Sequence, residues 1–181
     1  MLGCTGHVPL NLKDPRWSEL PGSYGHSTDV VRWLAEAQDA GSLSDERLGD
    51  LVNEVAHQGD ASLALYAVVP YFVEFAKGAD TENALALLTH AGLLCADASR
   101  AKTRPCPEFL VLEYRRAATE GTRLLAPLIP KAEGFDDFKY AVAAMAGFLG
   151  NWEFARFLDT LELYENQFHH PWFERPMSPN E

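Results

Sequence analysis

Cysteine is scarce in this chain and follows no pattern: Cys4, Cys95 and Cys106 make an odd count of 3, without a CxxC pair or the Cys/His spacing of a metal site. That argues against a disulfide framework and points to a reducing, cytoplasmic setting. Long apolar runs are missing as well. No stretch reaches the roughly 18 residues a membrane-spanning helix requires, and Met1 to Leu12 has neither a basic n-region nor a continuous apolar segment, so no secretory leader or membrane partner is expected. Positive charge is in short supply, with 15 Lys and Arg against 26 Asp and Glu and a net charge of -11. The nearest basic grouping, Arg100, Lys102 and Arg104 with Arg115 and Arg116 beyond, forms no block, which argues against nucleic acid as a partner. GxSxG, HExxH, GxGxxG and phosphate-loop patterns are also absent. No residue is therefore assigned a catalytic or metal-binding role, and no cofactor is expected.

What is present is an ordinary globular composition, 47% hydrophobic and 23% charged, in a chain long enough for one core. Two segments follow one plan. Ala61 to Arg100 and Gly121 to Gly150 each read as an apolar helix interrupted by proline, a short turn and an alanine-rich helix. Val69-Pro70 answers to Ala126-Pro127, and Ala91-Gly92-Leu93-Leu94 to Ala146-Gly147-Phe148-Leu149. Helix pairs that cannot each bury their own apolar face must stack on one another, which predicts an all-α fold and a short α-solenoid.

Proline and glycine crowd residues 1–26 and forbid a long helix, leaving an irregular lead-in in which Trp17, Leu20 and Tyr24 cap the first helix pair. Ser27 or Thr28 supplies a hydroxyl cap for a first helix that Gly41 stops, and Ser44 starts a second that ends near His57-Gln58-Gly59. The third helix is expected over Ala61 to Lys77 with a kink near Pro70. Its apolar stretch is too long for a buried strand despite the β-branched and aromatic run Val68 to Phe75. Asp80 or Thr81 caps a fourth helix in which Cys95 acts as a small hydrophobe. A fifth starts after Pro107, with Gly121 as a break or bend. A sixth spans Phe135 to Leu149, and a seventh runs from Asn151 or Trp152 to about Tyr164. The predicted organisation is a lead-in over 1–26, a helical repeat domain over 27–165 of about three helix pairs plus a terminal helix, and an extended tail over 166–181.

The segment Asp136-Asp137-Phe138-Lys139-Tyr140-Ala141-Val142-Ala143-Ala144-Met145 resembles the second helix of a HEAT-type repeat, and Pro70 resembles the bend of a HEAT first helix. Trp17, Leu20, Tyr24-Gly25, Asp29-Val30, Leu34, His57-Gln58-Gly59 and Ala67-Val68-Val69-Pro70 together are similar to a group of small bacterial HEAT-like proteins of unknown function. Residues 81–88 depart from it, lacking the usual acidic-then-basic ladder. The resemblance implies a partner-binding scaffold, by analogy an immunity or antitoxin-like protein that occludes its partner.

The most suggestive polar cluster is His57-Gln58-Gly59-Asp60 at a helix junction, where Gln58 and Asp60 are candidate partner contacts. The competing structural role is plain: a histidine near a helix C-terminus is favoured by the dipole, and Gly59 suits a C-terminal cap. His90 reads as a hydrogen-bonded packing residue, and His169-His170 with Glu174 as a solvated tail. The leading functional expectation is a protein-binding module with a protein partner of basic character, drawn by the negative charge. One alternative is a small-molecule binder or enzyme whose pocket is lined by Tyr24, His57 and Tyr66; the other is a homo-oligomeric structural protein.

Overall fold

A computed structural model describes residues 9–25, 27–57, 60–101, 104–164 and 167–169. It is mostly helical, with α1 (Thr28–Ala40), α2 (Asp45–Val55), α3 (Leu65–Gly78), α4 (Thr81–Arg100), α5 (Val111–Leu125), α6 (Gly134–Phe148) and α7 (Trp152–Asp159). Two short antiparallel ribbons complete it, β1 (Ala56–His57) with β2 (Asp60–Ala61) and β3 (Glu162–Tyr164) with β4 (Gln167–His169). The apolar run Val68 to Phe75 is helical and largely buried, in keeping with an all-α chain. Among the described residues no helix is long and apolar enough to cross a membrane.

Local sequence accounts for some of the helix ends. Ser44 and Asp80 cap α2 and α4 by accepting hydrogen bonds from the backbone N–H of Arg47 and Asn83. Gly41 closes α1 at φ 72, a left-handed turn where a side chain would be strained. Ser27 stands at the start of α1 but makes no side-chain cap; its hydroxyl instead donates to the Trp17 carbonyl at 2.6 Å, tying the lead-in to the helix. The lead-in forms a 3-10 turn over Pro15–Glu19. Trp17 and Leu20 are buried in the core, whereas Tyr24, expected with them, is 62% exposed.

Several expected boundaries move. α3 begins at Leu65, because Ala61 is held by the ribbon opposite Ala56, and for the same reason His57 lies beyond the end of α2. Gly59, the expected cap there, falls outside the described residues. α3 stays one helix through Pro70. Pro127, its expected counterpart, falls beyond the last residue of α5, so the two prolines do not occupy equivalent places. Gly121 neither breaks nor bends α5 into two; a Cβ there would meet the ring of Phe148, so the glycine admits that ring from α6. α7 ends at Asp159 and the chain turns into β3, with Lys139 beneath it. Lys139 is 5% exposed and donates to the Leu161 carbonyl at 3.0 Å while its ammonium lies 4.3 Å from the Tyr140 ring. Within the expected tail, 167–169 form β4, and 170–181 lie outside the described residues.

α4 is the central element, packed against α3, α5, α6 and α7, while α3 also packs against α5. Its tightest contact is with α6. A Cβ on Gly92 would collide with the backbone of Ala144, and one on Gly147 would collide with the Gly92 carbonyl and approach Ala96. Gly92 therefore sits against Ala144 and Ala96 against Gly147, so the two helices run in the same direction with backbones in contact. The valines and aromatics of α3, with Leu65, fill the other side of α4. Gly147→Ala is expected to force α6 off α4 and to destabilise the fold by about 2–3 kcal/mol, read as a drop in Tm of roughly 5–10 °C in thermal denaturation. Gly78→Ala, where a Cβ would meet nothing, serves as the control.

Candidate functional site

The expected site residues come together as a chain of contacts along one rim, built by the ribbon that follows α2. The lead-in is stitched to that helix end: Ser23 N–H donates to the Glu54 carbonyl at 2.6 Å, and the Ser23 hydroxyl accepts from His57 N–H at 3.2 Å. This brings Tyr24 onto His57, with ring centroids 5.0 Å apart and the Tyr24 hydroxyl 2.7 Å from His57 Nδ1. Asn53 Oδ1 lies 2.9 Å from the same nitrogen, so Nδ1 can serve the amide or the phenol in full, not both. His57 pairs across the ribbon with Asp60, whose carboxylate lies 3.3 Å from Arg104 Nη2. The same guanidinium donates to the Ala61 carbonyl at 3.0 Å, and the Arg104 carbonyl accepts from the Tyr66 hydroxyl at 2.8 Å. Gln58 lies outside the described residues.

Tyr24, His57 and Asp60 thus share a rim to which the buried Tyr66 is tied through Arg104, and the four do not surround a cavity. Tyr66 turns inward, edge-on to Tyr114 at 5.0 Å, and lines a cavity of about 370 Å³ with Cys106, Tyr114 and Arg115. Neither Tyr24 nor His57 lines that space. The chemistry of this cavity is subdued. Burial pushes the Cys106 thiol up to about 11, and that of Cys95, which lies outside the cavity lining, up to about 12, so neither supplies thiolate near neutral pH. Burial likewise raises Tyr114 and Tyr66 above the ordinary phenol range.

Two further cavities meet along α4. One, of about 530 Å³, lies between the N-terminal halves of α2, α4 and α6 and is lined by residues that include Asp45, Glu82, Leu85, Ala86, Asp137 and Tyr140. The other, of about 220 Å³, lies between the C-terminal ends of α2 and α4 and helix α7, and includes Val52, Asp97, Arg100, Trp152, Arg156 and Asp159. His90 and Leu93 line both. His90 has no hydrogen bond from its ring among the described residues, contrary to its reading as a bonded packing residue, and burial lowers its pKa. Sequence reasoning missed this face. Its signal was the spacing Glu82, Ala86, His90, Leu93, Asp97 and Arg100, which puts a mixed polar and apolar stripe on one side of a helix. Among the described residues no cluster of His, Cys, Asp and Glu is arranged to hold a metal ion.

One carboxylate stands apart from the rim. Glu113 of α5 is half-buried and has its Oε1 buried without a partner. Burial pushes its pKa from 4.5 up to about 7, against the opposing pull of the Leu10 N–H and Arg16. Because the folded state holds this proton more tightly than the unfolded chain, the stability it contributes is complete below pH 4.5 and is lost as pH rises through about 7. Glu113→Gln keeps the size of the side chain and removes the charge. The variant is expected to lose this part of the pH dependence and to melt roughly 2–4 °C above the parent at pH 8, with the two converging at pH 4 in parallel thermal scans.

Comparison with known protein families, with curated proteins and with solved structures found no match.

Proposed function

We propose that the chain is a protein–protein interaction module, a short HEAT-like α-solenoid of the immunity or antitoxin type that binds and occludes a basic partner. The observation that carries this reading is the common direction of successive second helices. α4 and α6 run in register through Gly92, Ala144 and Gly147. The starts of α2, α4 and α6 line one cavity, and the ends of α2 and α4 line the next. Packing of α3 on α5 beside α4 on α6 is the two-layer order a stack of helix pairs would have, and such stacks work by presenting an extended face to a partner. The net charge of -11 favours a positively charged partner by long-range attraction. In this reading Tyr24, His57 and Asp60 form a contact rim at the end of the first pair, with Gln58 beside them in sequence, and the protein works in the cytoplasm. The small-molecule alternative loses ground because Tyr24 and His57 line none of the cavities described above.

A second reading, self-association, is favoured by exposed Phe138, Leu149 and Phe154 on α6, the following corner and α7. Light scattering across concentration separates the two: a mass constant at 20.1 kDa supports the hetero-partner reading, and a rise to twice that supports self-association. The direct test is affinity capture from the native organism, followed by rebinding of the identified protein in purified form. A basic protein that rebinds with affinity falling steeply between 50 and 300 mM salt (roughly one to six times 50 mM, the regime in which exposed charges are progressively screened) is the expected result. A chain that captures no protein, or only one that is acidic and salt-insensitive, overturns the proposal.

A further inference from the structure

The two cavities on α4 form one trough, because His90 and Leu93 belong to both. α4 is the floor, α2 one wall, and α6 followed by α7 the other. From Glu82 to Arg100 the floor spans roughly 27 Å at the rise of an α-helix, long enough for several turns of a helix or a shorter extended segment. Along it Leu85, Ala86 and Leu93 of α4 and Val52 of α2 are only partly buried, which leaves an apolar strip accessible from outside.

Charge is distributed unevenly along this trough. Asp45, Glu82 and Asp137 stand in the first turns of α2, α4 and α6 and converge on one mouth because these helices start at the same end. The helix dipoles there explain why carboxylates suit the first turns. They do not explain why all of these carboxylates go without cations. The ion pairs of the described residues engage Asp14, Asp29, Glu36, Asp50, Asp60, Glu74, Glu120 and Asp136, and among the described residues no Lys or Arg pairs with Asp45, Glu82 or Asp137. Asp136, next to Asp137 in sequence, is paired with Lys139 at 3.4 Å. At the opposite end Asp97 and Asp159 share their surroundings with Arg100 and Arg156, so that end is close to balanced.

From this asymmetry we infer that the α4 trough is the docking surface for a basic peptide segment of the partner, lying along α4 with its lysines or arginines at the Asp45–Glu82–Asp137 mouth and apolar side chains over Leu85, Ala86 and Leu93. The inference rests on the protein-binding reading above and adds where the partner sits and which end of it is cationic. An acidic segment would meet the uncompensated carboxylates at the mouth, and a wholly apolar one would leave them desolvated and unpaired.

The test uses a labelled synthetic peptide of about 20 leucine and lysine residues in helical spacing, a length matched to the trough by helix rise, and its counterpart with glutamate for lysine. Fluorescence anisotropy is read on the whole chain, on the mouth variant Asp45→Asn/Glu82→Gln/Asp137→Asn, and on a control variant Asp39→Asn/Glu133→Gln/Glu153→Gln. The two variants remove equal charge from exposed positions, and the control residues line neither cavity of the trough. The expected result is binding of the lysine peptide only, weakened about tenfold or more in the mouth variant and no more than about twofold in the control, as close charge pairs and distant ones differ. Ala86→Arg, which fills the floor, is expected to weaken binding as much as the mouth variant. Equal losses in mouth and control variants, binding of the glutamate peptide, or no binding of either peptide overturns the assignment. If the natural partner is captured equally by the parent and the mouth variant, the trough assignment falls while the protein-binding function stands; if no partner is captured at all, the function itself falls.

Discussion

The fold depends on the place where α4 and α6 touch without side chains between them. At Gly92 and Gly147 a single methyl group would collide with the backbone of the opposite helix. Close approach of this kind brings backbone dipoles and the Cβ atoms of Ala144 and Ala96 into contact, and the interior packs at a density that leaves no room to adjust. Because α4 also carries α3 and α5 on its other sides, the spacing set at this point is inherited by the whole helical array. The trough over α4 owes its shape to the same contact: α6 is drawn down beside α4, and α7 follows it after the turn at Gly150, leaving the opposite shoulder of α4 open toward α2.

The packing of α2 on α4 is looser. Few residues of the two helices meet, and the trough lies where they separate. The first pair is held instead by what surrounds it. Trp17 and Leu20 enter the core from the lead-in, Ser27 bonds to the Trp17 carbonyl, and Ser23 is stitched to the end of α2. Arg104, from the segment between α4 and α5, reaches the ribbon after α2 through Asp60 and the Ala61 carbonyl. The rim residues singled out from the sequence are therefore also structural ties. The exposed Asp60–Arg104 ion pair is individually weak, whereas the Ser27 and Arg104 hydrogen bonds are buried or half-buried and satisfy backbone carbonyls that would otherwise be left short of partners.

Much of this was legible in the residues. Matching Ala91-Gly92-Leu93-Leu94 with Ala146-Gly147-Phe148-Leu149 picks out the two glycines that meet across α4 and α6, because small residues at helical spacing record close approach directly. The proline match was misleading: Pro70 lies inside α3, but Pro127 only marks the end of α5, and a proline has the same sequence appearance in both roles. Gly121 looked like a breaker because its partner, Phe148, lies 27 positions away, and nothing local shows that a ring from another helix fills the missing side chain. The ribbon at Ala56–Ala61 was hidden for a similar reason, since its pairing depends on the lead-in and on Arg104.

The rim was found by its chemical variety, histidine beside amide beside carboxylate, and the trough was missed because each of its residues is ordinary by itself. Asp45, Glu82 and Asp137 are what any helix start would carry, and Leu85, Ala86 and Leu93 are what any amphipathic helix would bury. Their meaning comes from arrangement. Three helices that start at one end bring their first-turn carboxylates together, and a wall that stands away from the floor leaves the leucines half covered. A sequence records each charge with its helix, but whether a cation reaches it is decided between helices. Lys139 illustrates the point: one of the chain's 15 basic residues, it is committed to Asp136 and the Leu161 carbonyl, and its neighbour Asp137 is left facing the trough. The negative potential of that mouth is therefore a property of how α6 is rotated against α4, and the rotation is fixed by the glycine contact on which the fold depends.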